Sequence, residues 1–192
     1  MGATIVSTKK LTSPVLDPQN AMTYVNRGDA YNILGQYQHA IEDYNQAIQL
    51  KPDHAKAYYA RGLAYDKLDK YQRAIEDFNE AIRLKPDFAF SYFIRGVVYA
   101  KLGQYESAIR DYSQGIRLEP DDVRIYNARG VAYAYSGQYK NARADFDEAI
   151  RLKPDDFGAY YNYACLFSLQ KDATKACNWL KRVIGRGSCA SA

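Results

Sequence analysis

The side chains best suited to proton transfer, nucleophilic attack or metal binding are scarce: His39 and His54 are the histidines, and Cys165, Cys177 and Cys189 the cysteines. The histidines fall at surface or loop positions of the pattern described below. The cysteines lie within the last 28 residues and form neither zinc-ligand spacing nor an even-numbered disulfide framework. No glycine run could cradle a phosphate, and no nucleophile can be paired with a base. Catalysis, a metal and a cofactor are therefore not expected, and Cys165 reads as a small apolar filler. The chemically capable residues that do recur are an Arg series, Arg27, Arg61, Arg95 and Arg129, and an Asp series, Asp43, Asp77, Asp111 and Asp145. Both lapse together, at Tyr163 and Trp179. Joint presence and joint loss predict an interhelical Arg–Asp ladder that fixes register rather than grips a ligand. Partly buried pairs of this kind are weak evidence for stability.

The elements that hold such a ladder follow from a single period. Pro18, Pro52, Pro86, Pro120 and Pro154 stand 34 residues apart. Gly28, Gly62, Gly96 and Gly130 keep the interval, with Ala164 next; Ala40, Ala74, Ala108, Ala142 and Ala176 are unbroken. A large apolar residue recurs at Tyr44, Phe78, Tyr112, Phe146 and Leu180. Repeats at such a period signal stacked supersecondary units. Inside each unit the apolar spacing is helical in two stretches, as at Tyr58, Gly62, Tyr65 and then Tyr71, Ala74, Ile75, Phe78, Ala81, Ile82. Leu34-Gly35-Gln36 and its equivalents separate them, where glycine can end a helix in the left-handed conformation. Proline closes the second helix, and Asp53, Asp87, Asp121 and Asp155 are candidate N-caps for the next unit. A helix pair buries only one side, so the next pair must cover the other. The expected fold is all-α, a right-handed α-solenoid of antiparallel helix pairs. Its expected organisation is a lead-in at 1–20, units at 21–54, 55–88, 89–122 and 123–156, a degenerate capping unit at 157–186, and a tail at 187–192.

Tyr58, Gly62, Tyr65, Ala74, Phe78, Ala81 and Pro86 carry the pattern of one known family, and the chain resembles the tetratricopeptide repeat (TPR) proteins. The resemblance covers residues 21 to about 186 and departs from the family at the Arg series, where Leu is usual. It implies that the first helix of each unit lines a concave face, with unit positions 2, 5, 9, 12 and 13 pointing into it. Carried over, the implied groove comprises Val25, Asp29, Lys56, Tyr59, Leu63, Lys67, Phe90, Phe93, Val97, Lys101, Arg124, Asn127, Val131, Tyr135 and Tyr161. Its middle is apolar and aromatic, and Lys56, Lys67, Lys101 and Arg124 surround it. The implied partner is another protein, offering a peptide or helix with apolar anchors and some acidic character. The carboxylate clamp by which some relatives hold chaperone tails is absent: Val25, Asp29, Ala60, Phe90 and Ile94 occupy its places from the first unit, and later starts fail likewise.

Net charge is +4, from 26 basic and 22 acidic residues interleaved along the chain, whereas a nucleic-acid binder gathers its bases on one face. No apolar run approaches the length of a membrane span. The N-terminus lacks the apolar core of a secretory signal, so a cytoplasmic setting is expected. Hydrophobic residues at 47% and charged residues at 25% exclude a disordered chain. The last unit must close the stack itself, and Cys177 and Ile184, set where earlier units bury apolar residues, raise self-association through this end. A self-assembling or spacer module acting through its ends is the alternative to a peptide-holding scaffold.

Overall fold

The computed structural model describes residues 20–187, and the side chains of 20–183. The expectations for the lead-in, for the tail after Gly187 and for the Ile184 side chain lie outside what is described. Among the described residues ten helices follow one another: α1 (Ala21–Ile33), α2 (Tyr37–Leu50), α3 (Ala55–Lys67), α4 (Tyr71–Leu84), α5 (Ala89–Lys101), α6 (Tyr105–Leu118), α7 (Val123–Tyr135), α8 (Tyr139–Leu152), α9 (Phe157–Leu169) and α10 (Ala173–Gly187). No strand occurs among the described residues. Each odd-numbered helix packs most extensively on the helix that follows it, and each pair then packs on the next, which is the α-solenoid the period predicts. Successive odd helices also approach one another at α1–α3, α5–α7 and α7–α9, whereas the even helices do not. The odd helices therefore form the inner wall and the even helices the outer one. None of the described helices is long and apolar enough to cross a membrane.

Local sequence sets both turns. Between α1 and α2 the N–H of Gln36 donates to the Tyr31 carbonyl (2.8 Å) and that of Gly35 to Asn32 (3.1 Å), the two bonds of a Schellman motif. Its left-handed residue is Gly35, Gly103 or Gly137, but also Asp69 and Lys171 at φ 56° and 59°. Between units the N–H of His54 donates to the Lys51 carbonyl (3.2 Å), closing a turn with Pro52 at its second position, where proline's fixed φ fits. This turn corrects the capping expectation. Asp53, Asp87, Asp121 and Asp155 are consumed as third residues of the turn, so the cap falls one residue later, on His54, Phe88, Asp122 and Asp156. Of these four, Asp122 makes the side-chain cap, accepting from the Arg124 N–H at 2.9 Å.

Within each pair the helices meet where a ring lies on bare backbone. A Cβ on Gly28, Gly62, Gly96 or Gly130 would stand 2.6, 2.8, 2.6 or 2.5 Å from a carbon of Tyr44, Phe78, Tyr112 or Phe146. The fifth pair exchanges both partners, Ala164 for glycine and Leu180 for the ring. A similar exchange joins α6 to α7: Gly115 replaces the alanine of other units, and Ile125 fills the space at 3.1 Å from the missing Cβ. Contact between units is uneven. The α2–α3 and α6–α7 seams run longer than α4–α5 and α8–α9, and α3 does not approach α5 as α1 approaches α3. Tyr59, Phe88 and Phe90 fill the wedge at that seam, with ring centroids 5.2 and 6.0 Å apart. Overpacking of a filled core costs about 1–3 kcal/mol. Gly96→Ala is therefore expected to lower stability by about that amount in denaturant melts, and adding Tyr112→Leu, which copies the fifth pair, to recover part of the loss.

Candidate functional site

The groove's inner wall is aligned by the Arg–Asp ladder. The Nε of Arg27, Arg61, Arg95 and Arg129 donates to Oδ2 of Asp43, Asp77, Asp111 and Asp145 at 2.7, 2.8, 2.7 and 2.8 Å. Nη2 of each donates to Oδ1 at 2.5 to 2.7 Å. Nη1 reaches back to the preceding unit, to Asn45, Asn79 and the Ser113 hydroxyl, at 2.6, 2.6 and 3.0 Å. Arg61, Arg95 and Arg129 thus tie the two helices of their own unit to the outer helix before it, and all four guanidiniums lie over Tyr24, Tyr58, Tyr92 or Tyr126. Burial pushes the Asp77 and Asp145 carboxyls upward against the pull of Arg61 and Arg129, so desolvation offsets much of the attraction. In the fifth unit Tyr163 stacks on Trp179 at 4.1 Å and 5°. The Tyr163 hydroxyl donates to Asp147 at 2.6 Å, the position held by Asn45, Asn79 and Ser113 in earlier units. The ion pair has become a stack, but the tie to the preceding helix survives.

The implied groove residues all lie on odd-numbered helices, and burial corrects one of them. Val25 is 0% exposed and packs in the core that α1 and α2 share with Ala57, Ala60 and Ala64 of α3, so it offers no surface to a partner. Tyr59, Phe90 and Phe93 form a chain of ring contacts, with Phe90–Phe93 at 5.9 Å and Phe93–Tyr112 at 6.0 Å. Arg124 lies over the faces of Phe90 and Phe93. Leu63 and Val97 are half-buried beside them. The basic surround is largely neutralised within the chain: Lys56 pairs with Asp29 at 2.9 Å, Lys101 with Asp66 at 2.6 Å, and Arg124 with Asp122 at 2.6 Å. Asp29 also accepts from the Tyr44 hydroxyl at 2.9 Å. Lys67 is exposed and has no ion pair among the described residues. The acidic character expected of a partner loses most of its basis.

Open space lies further along, around α7. One cavity of about 480 Å³ sits among α5, α6, α7 and α9 and includes Tyr105, Asn127, Val131, Tyr135 and Asn162. A second of about 380 Å³ sits mainly between α7 and α9 and includes Val131, Tyr135, Tyr161, Asn162 and Leu169. Tyr135 and Tyr161 are 59% and 56% exposed, and Tyr135 stacks on Tyr105 at 5.5 Å and 11°. Sequence reasoning missed two of these residues. Asn162 sits one position past the implied inner face. Tyr105 opens an outer helix, and its recurrence with Tyr37, Tyr71 and Tyr139 at the 34-residue interval was the available signal. Among the described residues no group of three His, Cys, Asp or Glu is placed to hold a metal ion.

Family models described as TPR repeat and tetratricopeptide repeat match residues 28–69 and 96–136, 55–88, 123–156 and 78–110. The chain belongs to the tetratricopeptide repeat family. Among solved structures, the residue 41-to-end portion of MamA from Desulfovibrio magneticus RS-1 is similar with a TM-score of 0.82 at 21% identity, covering 92% of this chain and 98% of that one. Another crystal structure of MamA has a TM-score of 0.70 at 32% identity, covering 72% of this chain and 81% of that one. YrrB, described as a TPR protein with an unusual peptide-binding site, has a TM-score of 0.75 at 23% identity over 88% and 87%. A comparison with curated proteins finds no match. The fold is that of protein-interaction scaffolds.

Removing one partner of a buried pair strands the other and costs about 3–5 kcal/mol, whereas replacing both by apolar residues is often near neutral. Asp111→Ala is expected to cost about 3 kcal/mol in a chemical melt, and Arg95→Met with Asp111→Leu markedly less. Equal losses in both would contradict a ladder that sets register without adding net stability.

Proposed function

We propose that this chain is a scaffold that holds a peptide or helical segment of another protein in its concave groove. The observation that carries this reading is the pair of half-exposed tyrosines, Tyr135 and Tyr161, at neighbouring open cavities of the inner wall. Large aromatics beside concave space are the residues that supply most binding energy in protein interfaces. The likeness to YrrB, described as having a peptide-binding site, supports the same reading. Tyr59, Phe90 and Phe93 are then the packed shoulder of the groove, and the anchoring side chains of a partner fall nearer α7 and α9. Tyr135→Ala and Tyr161→Ala are each expected to weaken binding of a protein recovered from native lysate by about 1–3 kcal/mol, measured by titration of the purified pair. Undiminished binding in the double variant would remove the groove from the function.

A second reading, self-assembly or a spacer role through the ends, rests on a different observation. Leu68 packs on the core of the unit before it, and Leu102 likewise. Leu34, at the same place in the first unit, is 69% exposed, and Ile33 beside it 85%. At the far end Phe157, Leu169 and Leu180 are exposed. Sedimentation velocity over a range of concentrations separates the readings. End-to-end assembly gives a species that grows with concentration and that Leu34→Lys with Ile33→Lys abolishes; a monomer throughout removes it.

A further inference from the structure

The groove changes character along its length. From α1 to α5 it carries charges, paired as Lys56–Asp29 and Lys101–Asp66. Neither of the two cavities around α7 is lined by a charged side chain. A ligand carboxylate or ammonium entering them would lose hydration with no counter-charge to replace it. Charge complementarity therefore selects an uncharged segment at this end.

Geometry narrows the conformation of that segment. The cavities share Val131, Tyr135 and Asn162, so they are neighbours, and they flank α7 on the α5 and α9 sides. Packed helices stand about 8–10 Å apart, and ligand side chains filling both cavities must recur at about that interval. Polyproline II places every third residue on one face, at about 9.3 Å from three rises of 3.1 Å. A β-strand returns to the same face at about 7 or 14 Å and misses. An α-helix comes back after seven residues, about 10.5 Å, but its backbone polar groups are already bonded.

The groove floor offers amides that need such partners. The Asn162 amide donates to the Asn127 oxygen at 3.2 Å, and the Asn127 amide donates to Asp156 at 2.6 Å. Each amide nitrogen carries two N–H groups, so the second on each has no partner among the described residues. Polyproline II leaves its carbonyls free to accept from them. Tyr105, Tyr135 and Tyr161 supply aromatic walls of the kind on which proline-rich segments dock.

We propose that the α5–α7–α9 end of the groove binds an uncharged, proline-rich segment in the polyproline II conformation, with an apolar side chain at every third position. This rests on the groove being a peptide site, and it adds the chemistry and conformation of the peptide. The test is fluorescence anisotropy with a labelled, uncharged peptide of repeated Pro-Pro-Leu, about twelve residues long so as to span both cavities. An amphipathic helical peptide and an acidic peptide of equal length are the comparators. The expected result is saturable binding of the Pro-Pro-Leu peptide, little changed by added salt. Binding should weaken about ten-fold in Tyr135→Ala and several-fold in Asn162→Ala, and stay unaltered in Arg83→Ala, an exposed change on α4 far from both cavities. Circular dichroism melts confirm that each variant is folded. No saturable binding, or binding indifferent to Tyr135 and Asn162, overturns the proposal. Preference for the helical or acidic peptide with loss in Tyr135→Ala also overturns it, yet leaves the groove reading standing; failure of the groove itself is read from the natural partner in the Tyr135→Ala, Tyr161→Ala double variant.

Discussion

Two helices can come together as closely as they do in each unit because one of them presents backbone, not side chain, at the crossing. The ring of Tyr44, Phe78, Tyr112 or Phe146 occupies the place where a Cβ would be. That approach brings an Arg on the first helix within reach of an Asp sixteen residues on, and the fork of the guanidinium matches the carboxylate. It also fixes which sides stay uncovered. The small residues face inward between the pair, so the remaining apolar side chains must be buried by the next unit. The inner wall, with its cavities, is what remains after all these faces have been used.

The fifth unit shows how much of this arrangement can be exchanged while the geometry is kept. Ala164 and Leu180 reverse the glycine–ring pairing, and Tyr163 on Trp179 replaces an ion pair by a stack of similar breadth. Asp147 has changed along with them, giving the Tyr163 hydroxyl an acceptor. Gly115 and Ile125 make the same kind of trade between units. In each case volume or hydrogen-bonding capacity removed from one partner is restored on the other, as close-packed interiors require.

The helices, their pairing and the Arg–Asp ladder were legible because a strict period compares each position with its own copies. Position alone was less reliable for the site. Val25 shares its unit position with Tyr59 and Phe93, yet its short side chain is covered by the core that α1 and α2 share with α3. Lys56 and Lys101 looked like part of a basic surround because sequence shows charges but not their partners; Asp29 and Asp66 come from the preceding unit and neutralise them. Asn162 and Tyr105 were missed since a cavity between three helices draws on residues from neighbouring faces and from the outer layer. The cap shifted by one residue because the proline turn had first use of the aspartate.

The unequal seams have a mechanical consequence. Adjoining layers share least backbone contact where the second unit meets the third, since α3 does not approach α5, and there the rings of Tyr59, Phe88 and Phe90 bridge the two. The Lys101–Asp66 ion pair also crosses this joint, from α5 back to α3 at 2.6 Å. Side-chain contacts therefore carry more of this joint than of the others.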